Sequence, residues 1–297
     1  MSAVDQPSGL PARTPTPQPG DPRLARLSLN QRTTAEWSLA EAVDGCVRAG
    51  VPSIGVWREP VAEVGLDKAV RLVADAGLRV SSVCRGGFFT GPPSTARAAH
   101  DENLRALDET AALGAPVLVL VPGGLPEGDR DLAGARGRAA EAVAALVPEA
   151  RARGVRLGIE PMHPIYAADR GVVSTLAQAL DIAEDHPADV VGVVVDTFHL
   201  WWEPGVLEQV ARAGERIASY QLADWITPLP PDALLSRGMV GDGHVDFASF
   251  TAAVAATGYA GDVEVEIFNA DLWAAPGDEV VATLARRYTE LVEPHLA

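Results

Sequence analysis

The residues able to do chemistry in this 297-residue chain fall at the ends of four short apolar runs: Glu160 after RLGI, Asp196 after VGVVV, Gln221 after IASY and Glu266 after VEV. Three carboxylates and an amide are all oxygen donors. Gathered at one point, three acids repel one another unless a cation neutralises them. All-oxygen ligation suits a hard or borderline ion, Mn2+ or Mg2+, better than zinc or copper. One acid at a strand end is ordinary solvent-facing polarity; four oxygen donors at four strand ends point to one divalent site. The following loops add polar groups: Arg85 in CRGGFF, His163 and Arg170 in PMHPIYAADR, His199 in TFHLWW, Asp224 in LADW and His244 in RGMVGDGHVDF. His163 and His199 each lie three residues past an expected ligand and are read as site members. His244 stands between a site role and a structural one, and His100, His186 and His295 read as solvated. Trp57, Trp201, Trp202, Trp225 and Trp273 fall just after strands. Their indole faces suit the flat C–H faces of a sugar, or else they seal that end of the fold or a subunit contact. Gly241 and Gly243 mark a tight turn with no phosphate-loop lysine beside it.

The elements that must position these groups alternate along the chain. Strands are expected at 26–29, 53–56, 79–83, 117–121, 156–159, 190–195, 217–220 and 262–265. Helices are expected at 39–49, 66–76, 96–113, 132–153, 175–184, 206–213, 247–257 and 279–292, several stopped by a glycine such as Gly77, Gly154 or Gly258. Runs such as VLVLV are apolar throughout, as parallel strands buried on both faces should be. Eight β/α units in strict alternation, with no G-x-G-x-x-G after the first strand, predict a single-domain α/β fold, the closed (β/α)8 TIM barrel, over residues 23–297. Its strand ends all open on one mouth, where barrel enzymes work. Residues 1–22, rich in Pro, Ser, Thr and Gly, are expected to be a flexible tail.

Composition narrows the function. A net charge of −16 argues against a nucleic-acid partner, which requires a basic surface. The chain is 47% apolar and 22% charged, enough for a large core. No apolar run approaches a membrane span, and no basic-then-apolar leader opens the chain. Two cysteines, Cys46 and Cys84, make neither a disulfide framework nor a zinc signature. A cytoplasmic location with no membrane contact is expected.

IEPMHP, VVDTFH, YQLADW, GDGHVDF and VEVEIFN, in that order and spacing, resemble the xylose-isomerase-like barrel superfamily of sugar phosphate isomerases and epimerases. The resemblance runs from about Leu27 to Val292. It implies one divalent metal, Mn2+ or Mg2+, on Glu160, Asp196, Gln221 and Glu266, with Gln221 standing where sugar 3-epimerases of this group have a histidine. It implies that Glu160 and Glu266 flank the substrate and exchange a proton through an enediolate, while His199 and Arg85 or Arg170 hold substrate oxygens. Trp57, Asp224 and His244 complete the expected binding residues. The implied function is isomerisation or epimerisation of a small carbohydrate or cyclitol. The alternative is a lyase or dehydratase of the same superfamily, removing a β leaving group from a 3-keto-glycoside or an inosose, with His163 as acid or base. A catalytically silent subunit is a further reading prompted by Gln221, and a three-metal endonuclease is disfavoured by the few histidines and the charge. A homodimer or a small partner subunit is expected.

Overall fold

The computed structural model describes residues 15–296. Its strands are β1 (Leu27–Asn30), β2 (Ser53–Trp57), β3 (Arg79–Gly87), β4 (Val117–Val121), β5 (Arg156–Ile159), β6 (Val191–Asp196), β7 (Ile217–Leu222), β8 (Asp224–Trp225), β9 (Arg237–Gly238) and β10 (Val263–Val265). Eight of them close into a barrel in the order β1-β10-β7-β6-β5-β4-β3-β2, every neighbouring pair parallel. The (β/α)8 TIM barrel expected from the alternation is therefore the fold. No helix among the described residues is long and apolar enough to cross a membrane. Both cysteines are buried and unpaired.

Local chemistry sets the element boundaries. Helix Leu39–Ala49 starts at Ser38, whose hydroxyl accepts from the Glu41 N–H while the Glu41 carboxylate accepts from the Ser38 N–H. It stops at Gly50 in the left-handed conformation (φ 71°). Helix Leu132–Arg153 likewise ends at Gly154. The expected tail, residues 1–22, lies outside the described residues up to position 14. From there Pro19 lies against Gly50, and Asp21 caps a short 3-10 turn at Pro22–Leu24.

Three departures from the sequence expectation matter for the site. β3 runs to Gly87 rather than Val83, with a register shift against β4 between Cys84 and Gly86, and so carries Arg85 to the rim. β6 and β7 include Asp196 and Gln221, which face each other in register. After β7 the chain forms an unexpected antiparallel pair, β8 with β9, in which Trp225 sits opposite Arg237.

Beneath the mouth the barrel interior holds a polar network. The Glu264 carboxylate, fully buried on β10, accepts from Asn30 Nδ2 (2.5 Å), Ser81 Oγ (2.6 Å) and Ser82 Oγ (2.8 Å). Trp57 Nε1 donates to Asn30 Oδ1 at 3.0 Å. A β-carbon at Gly55 would run into the Glu264 carboxylate, so β2 needs glycine there for want of space. Side chains alternate along a strand, so Glu264 and Glu266 share the inward face.

Candidate active site

Glu160 follows β5, Asp196 and Gln221 close β6 and come near the end of β7, and Glu266 follows β10. All four are buried: Glu160 is 4% exposed, Glu266 2%, Asp196 and Gln221 0%. The backbone holds the two glutamates in place, since Glu160 N–H donates to the Leu120 carbonyl and Glu266 N–H to the Leu222 carbonyl. His199, on the turn Thr197–Leu200 after β6, is buried beside them. Its Nε2 lies 3.7 Å from Glu160 Oε1 and 3.9 Å from Asp196 Oδ2.

Between these acids the structure places a residue that the sequence reading passed over. Arg237 Nη1 sits 2.8 Å from Asp196 Oδ2, 3.0 Å from Glu266 Oε2 and 3.2 Å from the Glu266 carbonyl. Nη2 lies 3.0 Å from His199 Nε2. Burial works against its charge, but the summed pull of Asp196, Glu266 and Glu160 outweighs that and raises the guanidinium pKa. The β8–β9 pair fixes its position, and Asn269 Nδ2 donates to its carbonyl (2.9 Å). The only sequence signal for it was an arginine in the apolar-flanked loop before GMVGDGH.

The charges do not balance. Burial, then the neighbouring Glu266 and Asp196, push Glu160 well above the ordinary carboxylate range. Burial pushes Glu266 up to about 7 even with Arg237 beside it. Asp196 is raised by burial against the opposing pull of Arg237. His199 is held neutral by burial and by the Arg237 charge. Its Nδ1 faces the His163 backbone N–H (3.1 Å) and its Nε2 faces the Arg237 Nη2 donor (3.0 Å). Glu160, Asp196 and His199 have ligand atoms within 4.8 Å of one another, spacing suited to an ion.

Three buried carboxylates against one buried guanidinium thus leave a formal deficit of two positive charges. Two further groups are unsatisfied: both side-chain atoms of Gln221, and Oε1 of Glu266, are buried without a hydrogen-bond partner. Buried oxygen lone pairs beside excess negative charge are what a hard divalent cation would satisfy. The donor set fits such an ion.

A cavity of about 490 Å³ opens above this cluster. Its wall includes Glu160, Glu266, Arg237, Arg85, Arg170 and Trp57, together with Arg32, Phe88, Phe268 and Trp273. Four other expected binding or catalytic groups are not in that wall: His199, buried beside the acids, and Asp224, His163 and His244. The Asp224 carboxylate is taken up by the backbone N–H groups of Trp225, Gly241, Gly243 and Val245 at 2.7–3.0 Å, which makes it the organiser of the GDGHV loop. His163 stacks on Trp225 (4.5 Å between ring centres) and meets Trp202 edge-on, with its pKa lowered to about 4 by burial. His244 is exposed, near Trp201, with Nε2 3.1 Å from Thr227 Oγ1. Of the five rim tryptophans, Trp57 and Trp273 face the cavity, while Trp201, Trp202 and Trp225 pack around these histidines.

Residues 43–290 match the family model described as the xylose isomerase-like TIM barrel. The chain belongs to that family. Within this xylose isomerase-like family, a solved protein from Sinorhizobium meliloti 1021 is 47% identical, with a TM-score of 0.88 over 91% of this chain and 99% of that one. L-ribulose 3-epimerase of Mesorhizobium japonicum is 28% identical over 264 residues, 84% of this chain and 83% of the epimerase. 3-Dehydroshikimate dehydratase of Pseudomonas putida is 34% identical over 134 residues, 42% of this chain but only 19% of the dehydratase. Similar proteins of the family are thus isomerases, epimerases and dehydratases of small sugar-like substrates.

Proposed function

We propose that this protein is a divalent-metal-dependent enzyme that removes a proton from the carbon beside a carbonyl of a small polyhydroxylated ketone and returns it, as an isomerase or epimerase. The observation that carries the proposal is the charge deficit of Glu160, Asp196 and Glu266 around Arg237, with the unpartnered Gln221 amide, directly beneath a cavity of sugar size. Glu160, Asp196, Gln221 and Glu266 would hold Mn2+ or Mg2+. When bound, such an ion polarises a carbonyl and its neighbouring hydroxyl and so acidifies the adjacent C–H.

The protein's own groups divide the rest of the work. Glu266 follows β10 and Glu160 follows β5, with β7 and β6 between them, so the two carboxylates reach the cavity from different sides. One takes the proton; return from the same side restores substrate, and delivery from the other side inverts the centre. Arg237 holds Glu266 and Asp196 in place and sets their charge. His199 packs against Arg237 Nη2 and the His163 backbone N–H and so holds both beside the acids. Trp57, Phe268 and Trp273 give the cavity an apolar wall for C–H faces and exclude water.

Elimination is the second reading. Once the proton is gone, a leaving group on the next carbon can depart, and the match to 3-dehydroshikimate dehydratase favours this outcome. The test is proton exchange in D2O with Mn2+ and a panel of ketoses, inososes, 3-keto-glycosides and 3-dehydroshikimate. Deuterium entering beside the carbonyl is expected, and elimination, if present, separates the two outcomes. Glu266→Gln is expected to abolish exchange with the fold intact. Full exchange in that variant refutes its role as the base.

A further inference from the structure

Two guanidiniums in the cavity wall have no part in the chemistry above. Arg85 stands near the end of β3, and Arg170 lies in the loop after β5, so β4 separates the strands that carry them. The Arg85 guanidinium is half-buried over the Phe88 ring (4.1 Å to its centre). It makes no hydrogen bond and no ion pair with any described residue. Burial lowers its pKa against the weaker opposing pull of Glu59, and the charge of Arg170 adds to the lowering. Arg170 has one ion pair, its Nε lying 3.3 Å from Oδ2 of its chain neighbour Asp169 without the geometry of a hydrogen bond.

The other guanidiniums of the wall are matched. Arg32 pairs with Glu59 (3.4 Å) and covers Trp57. Arg237 is held by Asp196 and Glu266. Asp232 accepts the Leu234 N–H at 2.9 Å. A chain with 40 acidic and 24 basic side chains has acids to spare, yet the one whose charge acts most on Arg85, Glu59, is paired with Arg32 and makes no ion pair with it. Desolvating a cation without a partner is costly, and an incoming anion offsets that cost.

We propose that the substrate carries an oxyanion, a carboxylate or a phosphate, held by Arg85 and Arg170. In the barrel order β4 lies diametrically across from β10. An anion anchored on the β3–β5 side directs the body of the substrate across the mouth toward Glu266. The inference rests on the proton-abstraction reading of this site and narrows its substrate class to an anionic keto-polyol. Guanidinium forks recognise either oxyanion through charge-assisted hydrogen bonds.

The test measures binding, by calorimetry and by thermal shift, on the full chain loaded with Mn2+ and on the metal-free chain. The probes are D-fructose and scyllo-inosose as neutral ketones, D-fructose 6-phosphate as a phosphate, and 5-keto-D-gluconate and 3-dehydroshikimate as carboxylates. At least one anionic class is expected to bind about tenfold or more tightly than the neutral ketones, and which class does so names the oxyanion. Arg85→Gln and Arg170→Gln are each expected to weaken that anion by about 10–100-fold, the usual loss of a charged hydrogen bond, and so to narrow its advantage over the neutral ketones. Arg85→Lys, which keeps the charge, should retain part of the affinity even if the glutamine variant is unstable. Neutral ketones binding as tightly as both anionic classes, or anion affinity unmoved in both glutamine variants, overturns the inference. Deuterium exchange on the same probes keeps the two claims apart. Exchange on neutral ketones without anion preference sinks this inference alone, while arginine-dependent anion binding with no exchange on any probe sinks the catalytic reading alone.

Discussion

Arg237→Met removes the one guanidinium among the buried acids and keeps a long apolar side chain in its place. The native group makes contacts of 2.8 and 3.0 Å to Asp196 and Glu266, and it lies 5.0 Å from the Phe198 ring centre and 5.3 Å from that of Phe268. Methionine preserves packing between the two rings but leaves both carboxylates uncompensated. Breaking a buried ion pair from one side costs about 3–5 kcal/mol. For a domain of this size the unfolding entropy is about 0.6 kcal/mol per degree, so the metal-free variant should melt roughly 5–8 °C below the parent. A divalent ion in the same cluster supplies the missing positive charge. It stabilises any native state that it binds by about 2.7 kcal/mol at a hundredfold excess over Kd, and more in the variant, where no guanidinium shares Asp196 and Glu266 with it. Scanning fluorimetry with EDTA and then with saturating Mn2+ should show the gap closing to about 3 °C or less. A gap that stays the same or widens with Mn2+ refutes the idea that Arg237 and the ion neutralise one set of carboxylates.

Three further outcomes are expected. Gln221→His should retain or tighten Mn2+ binding, read by electron paramagnetic resonance of the free ion, because an imidazole nitrogen is a good donor for a borderline ion; loss of the ion would show that position 221 is not a ligand. Gly55→Ala forces a methyl group against the Glu264 carboxylate and should cost about 1–3 kcal/mol in urea unfolding, whereas an unchanged midpoint would mean that the Glu264 network yields easily. His163 has its pKa lowered by burial to about 4, so it binds a proton in the unfolded chain before it does in the folded one. Its contribution is present above the unfolded value near 6.5 and is lost as pH falls toward 4, on the order of 2 kcal/mol. His163→Phe, which can keep the stack on Trp225, should flatten that part of the acid limb in stability-versus-pH curves, and an identical slope in parent and variant would sink the assignment.

Fold and candidate site were legible to different depths. Strict β/α alternation, glycine stops and fully apolar strand runs specify a parallel barrel. Once the strands are parallel, residues that close them must share one mouth. Glu160, Asp196, Gln221 and Glu266 could therefore be named together across more than a hundred residues of sequence, because the topology does the gathering. Glu264 escaped notice because the same two-residue period that exposes Glu266 at the rim places Glu264 one layer below, and a carboxylate in a barrel interior is tolerated only with partners such as Asn30, Ser81 and Ser82 from other strands.

By itself the sequence determined the elements, their order and direction, and the oxygen donors at the strand ends, since these follow from local periodicity and from chain direction. Only the tertiary structure decided which loop residues enter the site. It brought Arg237 in through the β8–β9 pair, turned Asp224 to the GDGHV backbone, set His163 among tryptophans and left Arg85 without an ion pair. Loop side chains are placed by contacts with distant parts of the chain, and spacing along the sequence does not encode where those contacts fall.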